Sequence, residues 1–218
     1  MSHTDCAITL ADGLAALALE IDAATQVRLL DYLDLLTQWN KVYNLTAIRH
    51  PAEMLTLHLM DSVSVIDPLR RHTGGRAARV LDVGSGGGLP GVVIALCCPE
   101  LRVDCVDTVG KKAAFIQQAA GALRAPNLRG IHARVESLSD AAYDVITSRA
   151  FATLADFSSW SRSALAGQGV WMAMKGRSPD EEVAALPPSV AVFHVEPLHV
   201  PGLDAERCLV WLRPATPA

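Results

Sequence analysis

The sequence predicts an α/β chain in which a helical region precedes a seven-stranded, mostly parallel sheet. Three observations predict it. Leu29, Leu30, Leu33 and Leu36 recur at helix spacing in the first third of the chain. After Arg79, short apolar runs alternate with helical stretches, the pattern of βαβ units. Half of the residues are hydrophobic and only 5% are aromatic, which suits an aliphatic α/β core better than a β-sandwich.

The elements follow in chain order. A short helix is expected over 10–21. An amphipathic, core-facing helix follows, with Asp31, Asp34 and Gln38 between its leucines. Pro51 suits the first turn of another helix running toward Pro68, with His58, Asp61 and Ser62 on one face. Arg70-Arg71-His72-Thr73-Gly74-Gly75-Arg76 breaks the periodicity and gathers positive charge. Residues 1–70 therefore read as an N-terminal helical region, 71–78 as a basic linker and 79–218 as the sheet domain. Strands are expected at 79–83, 102–107, 128–133, 143–147, 169–174, 190–195 and 208–213.

At 218 residues the chain fits one substantial domain, or one with a small appendage. Its start lacks a basic, apolar export segment, and no later run approaches the roughly 20 apolar residues of a membrane span. A cytosolic protein is expected. Five cysteines without CxxC or Cys/His ligand spacing argue against a disulfide framework and against zinc. A formal charge of −4 excludes a uniformly basic coat, so any RNA contact must use a local patch.

The chemistry concentrates at Asp82-Val83-Gly84-Ser85-Gly86-Gly87-Gly88-Leu89-Pro90-Gly91, a buried strand running into a glycine turn and a helix start. Glycines such as Gly86 and Gly88 let backbone approach a ligand, and a helix N-terminus offers N–H groups to an anion. The Gly86-x-Gly88-x-x-Gly91 spacing with Asp107 about 20 residues on also satisfies the dinucleotide pattern, which leaves an NAD-dependent oxidoreductase open. Asp82 two residues before the first glycine and Pro90 in the third-glycine region favour an S-adenosylmethionine methyltransferase. The loop's anion would then be the methionine carboxylate of that cofactor. Asp107, at a strand's C-terminal edge, is placed to receive ribose hydroxyls; its plainer role is a helix N-cap.

The acceptor is read from missing machinery. Where exocyclic-amine methylation brings an Asn/Asp-Pro-Pro-aromatic segment, this chain has Thr147-Ser148-Arg149-Ala150-Phe151. Cys97-Cys98 precede Pro99 in an apolar helix and read as packing residues rather than a nucleophilic thiolate. Methylation of a ring nitrogen such as guanine N7, which carries an in-plane lone pair, needs neither.

Trp39-Asn40-Lys41-Val42-Tyr43-Asn44-Leu45-Thr46, His58-Leu59-Met60-Asp61-Ser62, the glycine loop, Ser148-Arg149-Ala150-Phe151 and Lys175-Gly176 together resemble the RsmG, or glucose-inhibited division protein B, family. These motifs span nearly the whole chain in order. The resemblance implies guanine-N7 methylation of 16S ribosomal RNA in the small ribosomal subunit, with S-adenosylmethionine, in a seven-stranded Rossmann-like fold behind N-terminal helices. It also implies a monomer without a membrane partner.

By motif, it puts Gly84 and Leu89 against the cofactor, Asp107 at the ribose, Val135 and Glu136 beside the adenine, and Arg149 near the reactive end. Arg149 and Lys175 are the expected catalytic residues, contacting phosphate or guanine O6, with phosphate preferred for Lys175. His58 and Asp61 are expected to form a structural i,i+3 pair, and Trp39 to lie in the core. Lys41 and Asn44 are read as phosphate contacts or capping groups. Arg207 is given no role. A non-catalytic ribosome-binding module with this fold is the second alternative.

Overall fold

The computed structural model describes residues 3–139, 142–177 and 179–215. Helix α1 (His3–Ala16) starts earlier than the predicted 10–21, and α2 (Ala23–Tyr43) follows after the Asp22 carboxylate accepts the Thr25 N–H at 2.8 Å as an N-cap. Leu29, Leu30, Leu33 and Leu36 are all buried, as their spacing requires. The helix ends where Asn44 adopts φ +49, a left-handed cap.

Pro51 occupies the first turn of the next helix, where its missing N–H costs nothing. The single helix expected toward Pro68 is divided into α3 (Pro51–Met54), a π-helical turn (Leu55–Met60), α4 (Asp61–Val63) and α5 (Ile66–Thr73). Arg70, Arg71 and His72, predicted to open or occupy the linker, lie in the last turn of α5, where cations complement the helix dipole. Nothing in that run breaks a helix until Gly74, whose φ of +61 ends it. The non-helical connection to the sheet therefore runs only over 74–78.

All seven predicted strands are present: β1 (Arg79–Val83), β2 (Arg102–Asp107), β3 (Leu128–His132), β4 (Tyr143–Arg149), β5 (Leu165–Lys175), β6 (Val190–Pro197) and β7 (Cys208–Pro214). Their order is β3-β2-β1-β4-β5-β7-β6. The first five are parallel, and β7 enters antiparallel to both β5 and β6. Between them come α6 (Gly91–Cys97), α7 (Gly110–Ala122), α8 (Leu154–Ser161) and α9 (Asp180–Ala184).

Alternation along the strands divides the core. Val80, Val103, Val145, Met172 and Leu209 join α1, α2, α6 and α7 in one apolar cluster, while Leu81, Val106, Ile146, Trp171 and Val210 join α8 in the other. The N-terminal helices thus share a core with one face of the sheet. The order reverses between β1 and β4, and in open α/β sheets the crevice outside the strand C-termini at such a reversal is where ligands bind.

Candidate cofactor and acceptor site

Two cavities open at that crevice. One of about 390 Å³ is lined by Asp107, Val109, Lys112, Val135, Glu136, Phe151 and Trp160 among others. The other, about 530 Å³, is lined by the glycine loop, by Leu45, Thr46, His58 and Asp61 from the N-terminal region, and by Arg149, Lys175 and Arg207. Gly84 and Ala150 belong to both walls, so the cavities adjoin over the ends of β1 and β4. This is one composite site.

The glycine loop is fixed from three sides. Gly84 has φ +66, and a Cβ there would overlap the Phe151 ring. The Tyr32 hydroxyl donates to the Gly87 carbonyl at 2.6 Å, and Leu36 fills the space where a Gly87 side chain would stand, so α2 forms a wall of the site. Asp82 Oδ2 accepts the Gly91 N–H at 2.9 Å at the start of α6. Burial raises the Asp82 carboxyl to about 7 against the lowering effects of that N–H and of Arg149.

Several N–H groups of the glycine loop are paired within the chain. The N–H groups of Gly84 and Ser85 go to the Val106 carbonyl, those of Gly88 and Leu89 to the Ser85 carbonyl, and that of Gly86 to Asp107. Internal hydrogen bonds already engage these donors.

Arg149 reaches from the end of β4 to the N-terminal region. Its Nη1 donates to the Leu57 carbonyl in the π-helical turn at 2.8 Å and to Asp61 Oδ2 at 3.1 Å, and its Nη2 lies 3.3 Å from His58 Nδ1. Asp61 Oδ1 accepts from Arg207 Nε at 3.0 Å, so one buried carboxylate bridges two guanidiniums and the cluster keeps a net positive charge. The expected His58–Asp61 pair is replaced by this arrangement, because the arginine reaches both. Burial, then the Arg149 charge, pushes His58 down to about 4. The ring is neutral at physiological pH. Its Nδ1 also lies 3.2 Å from the Leu57 carbonyl, and its Nε2 shares a hydrogen bond with Thr46 Oγ1 at 2.7 Å.

Asp107 is not a helix N-cap; that position belongs to Val109. Its Oδ2 accepts the Gly86 N–H at 3.0 Å and its Oδ1 the Val109 N–H at 2.8 Å, with the Lys112 ammonium 3.7 Å away. A carboxylate has about four acceptor directions, so each oxygen keeps one for hydroxyls.

Residues 25–210 match the family described as rRNA small subunit methyltransferase G. The chain belongs to that family. The "Ribosomal RNA small subunit methyltransferase G" of Acidovorax ebreus (strain TPSY) is 61% identical over 222 residues, covering 98% of each chain. The protein of the same name from Polaromonas sp. (strain JS666 / ATCC BAA-500) is 64% identical over 205 residues, covering 92% of this chain and 90% of its own.

The fold is shared with solved S-adenosylmethionine-dependent methyltransferases. One from Leishmania major has a TM-score of 0.61 at 16% identity, covering 84% of this chain and 83% of its own. TrmN from Thermus thermophilus has a TM-score of 0.54 at 22% identity, covering 74% and 53%. Membership decides between the two readings that the glycine spacing left open, in favour of the methyltransferase.

Within that family's frame, Gly84, Gly86, Leu89, Arg149 and Lys175 line the larger cavity and Asp107, Val135 and Glu136 the smaller. Gly88 lines neither: its φ is +90 and a Cβ would press on Val92, so it shapes the turn from below. Lys175 is not a free cation, since its ammonium donates to Glu182 at 2.8 Å and to the Ala152 carbonyl at 3.0 Å. Trp39 is partly buried, between the Tyr43 and Phe115 rings. Asn44 is a helix cap rather than a phosphate ligand.

Burial raises Cys97 to about 12 and Cys98 to about 11, so neither forms a thiolate readily. Sequence reasoning missed the joint role of Asp61 and Arg207. The available signal was two arginines at strand ends, Arg149 closing β4 and Arg207 preceding β7, which call for a carboxylate where they converge. No helix among the described residues is long and apolar enough to cross a membrane, and they hold no metal-binding cluster.

Proposed function

We propose that this chain transfers a methyl group from S-adenosylmethionine to N7 of a guanine in 16S ribosomal RNA, as a cytoplasmic monomer acting on small-subunit RNA. The observation that carries the reading is the composite site: a carboxylate-bearing cavity adjoining an arginine-bearing one over the glycine loop, in a chain of this family.

The residues fit the cofactor. Asp107 retains acceptor directions for the ribose, Val135 gives the adenine an apolar wall and Glu136 an acceptor for its amine. Arg149 supplies the cation for the methionine carboxylate. Ser85 lines the same wall. When bound, S-adenosylmethionine supplies an electrophilic methyl group on its sulfonium.

The chain's own contribution is orientation. Arg149 is locked by three partners on the Leu57–Asp61 turn and so loses little freedom when it binds. Neutral His58 holds Thr46 at the wall without adding a charge that would repel a sulfonium. A base nitrogen with an in-plane lone pair needs no proton removed, consistent with the protonated thiols and the absence of an amine-binding Pro-Pro segment after β4. The Lys175 ammonium at the cavity rim is placed for phosphate, in exchange with Glu182.

The test is tritiated methyl transfer to 16S RNA from a strain lacking the enzyme. The expected product is a cationic, borohydride-sensitive N7-methylguanosine. A methyl mapped to an exocyclic amine, a carbon or a ribose would overturn the reading.

A further inference from the structure

One wall of the larger cavity is formed by a loop whose outer side carries exposed apolar and basic side chains. Loop 44–50 turns Leu45, Thr46 and Ile48 into the cavity. The buried Asn40 side chain pins the loop, accepting the Thr46 N–H at 2.9 Å and donating to the Ile48 carbonyl at 3.3 Å. On the outer side Val42 is 69% exposed and Tyr43 39% exposed, while Lys41, Arg49 and His50 are also exposed.

Tyr43 is not loose. Its ring lies 5.1 Å from that of Trp39, which lies 5.4 Å from that of Phe115 in the core, so a ladder of aromatic rings runs outward and ends at Tyr43. An aromatic side chain backed in this way loses little entropy on binding, and every base offers a face to stack on it. The charge agrees: residues 39–54 carry Lys41 and Arg49 against the one acid Glu53, in a chain whose formal charge is −4. The Arg49 guanidinium is held by Asn44 Oδ1 at 2.9 Å, and a hollow of about 150 Å³ lies between it and Lys41.

The geometry points to this outer face, the last turn of α2 and loop 44–50, as the surface over which unpaired RNA enters the larger cavity. Tyr43 stacks on a base flanking the methylated guanine, and Lys41 and Arg49 hold the phosphates on either side. Unpaired rather than duplex RNA is the occupant because a stacking ring is useful only to a base free of its helix. The inference rests on the RNA-methylating reading above.

It is tested with Tyr43→Ala, Tyr43→Phe and the double variant Lys41→Ala/Arg49→Ala in the full chain. The probe is a single-stranded 16S RNA fragment that the parent methylates. Tyr43→Ala is expected to raise the KM for RNA at least about fivefold with kcat within about twofold, and Tyr43→Phe to restore it. S-adenosylhomocysteine affinity is expected to stay unchanged in all three. The double variant is expected to lower the log–log salt slope of RNA binding by about 1.4, from about 0.7 per phosphate contact on single strands.

A parent that methylates RNA while Tyr43→Ala keeps its KM within twofold and the double variant keeps its salt slope would overturn the inference. A parent that transfers no methyl would instead overturn the functional reading. The surface is then judged by RNA-binding anisotropy, where affinities equal to the parent's sink it. If Tyr43→Ala loses its fold, the salt slope of the double variant decides alone.

Discussion

Removing the Asp107 carboxylate tests its proposed part in cofactor recognition against its part in loop structure. In Asp107→Ala the Gly86 and Val109 N–H groups lose acceptors at 3.0 and 2.8 Å. Each orphaned donor costs about 1 to 3 kcal/mol where water does not reach it. Gly86 is partly exposed and is rehydrated, so the stability loss should be near the lower end, about 1 to 2 kcal/mol. The ribose loses a charge-assisted acceptor worth about 1.5 to 3 kcal/mol per bond, which at 1.4 kcal/mol per decade is roughly a 10- to 100-fold rise in Kd. Calorimetric titration with S-adenosylhomocysteine reads the second quantity and denaturant unfolding the first. Asp107→Asn is the sharper control. It places an amide donor against either the Gly86 or the Val109 N–H, so affinity is expected to fall although size is conserved. An unchanged Kd in Asp107→Ala with a native unfolding midpoint would refute the ribose assignment.

Other outcomes follow from the same contacts. Asp82 is raised to about 7 in the folded state and is near 3.8 unfolded, so the unfolded chain ionises first as pH rises. The stability this group costs therefore grows between about pH 4 and 7, to at most about 4 kcal/mol at 1.36 kcal/mol per pKa unit, and is constant above. Asp82→Asn should flatten that part of the stability profile, and an unaltered slope would place the titration elsewhere. His58 is depressed to about 4, so its ring should stay neutral in an NMR titration until well below pH 5; protonation near 6.5 would contradict the Arg149 contact. Gly84→Ala combines a φ of +66 with overlap on Phe151 and should abolish measurable cofactor binding; a Kd close to the parent's would show that the loop is not rigid. Lys175→Ala should leave S-adenosylhomocysteine affinity intact, slow methyl transfer at subsaturating RNA, and lower the salt slope by less than the 0.7 of a free lysine, since Glu182 already neutralises it.

The sheet was legible because burial on two faces leaves a simple trace. β1, β4, β5 and β7 are buried along most of their length, and β1 and β2 were bounded to the residue, whereas the edge strands β3 and β6 are largely exposed or half-buried. The helical region was less legible: nothing local marks the π-helical turn at Leu55–Met60, which is set by what Arg149 and Asp61 require across the site. Arg70 to Thr73 read as linker because charge resembles solvent, yet a helix end favours the same charges.

Cavity-lining residues set by backbone or strand position, such as Gly84 and Asp107, were visible from spacing. Those whose role depends on a partner far along the chain were not. Arg207 and Asp61 are 146 positions apart, and nothing around either names the other. Nor did the glycine pattern show that Asp107, Val106 and Ser85 accept N–H groups of the loop.

The central claim is that the acceptor is the N7 lone pair of a guanine, reached without a general base or a thiolate. Its most direct measurement replaces guanosine by 7-deazaguanosine in a single-stranded 16S RNA fragment that the parent methylates. The base keeps its O6 and Watson–Crick groups and loses only the nitrogen. Unaltered binding with no methyl transfer is predicted. Transfer to the 7-deaza RNA at the parent rate would contradict the account.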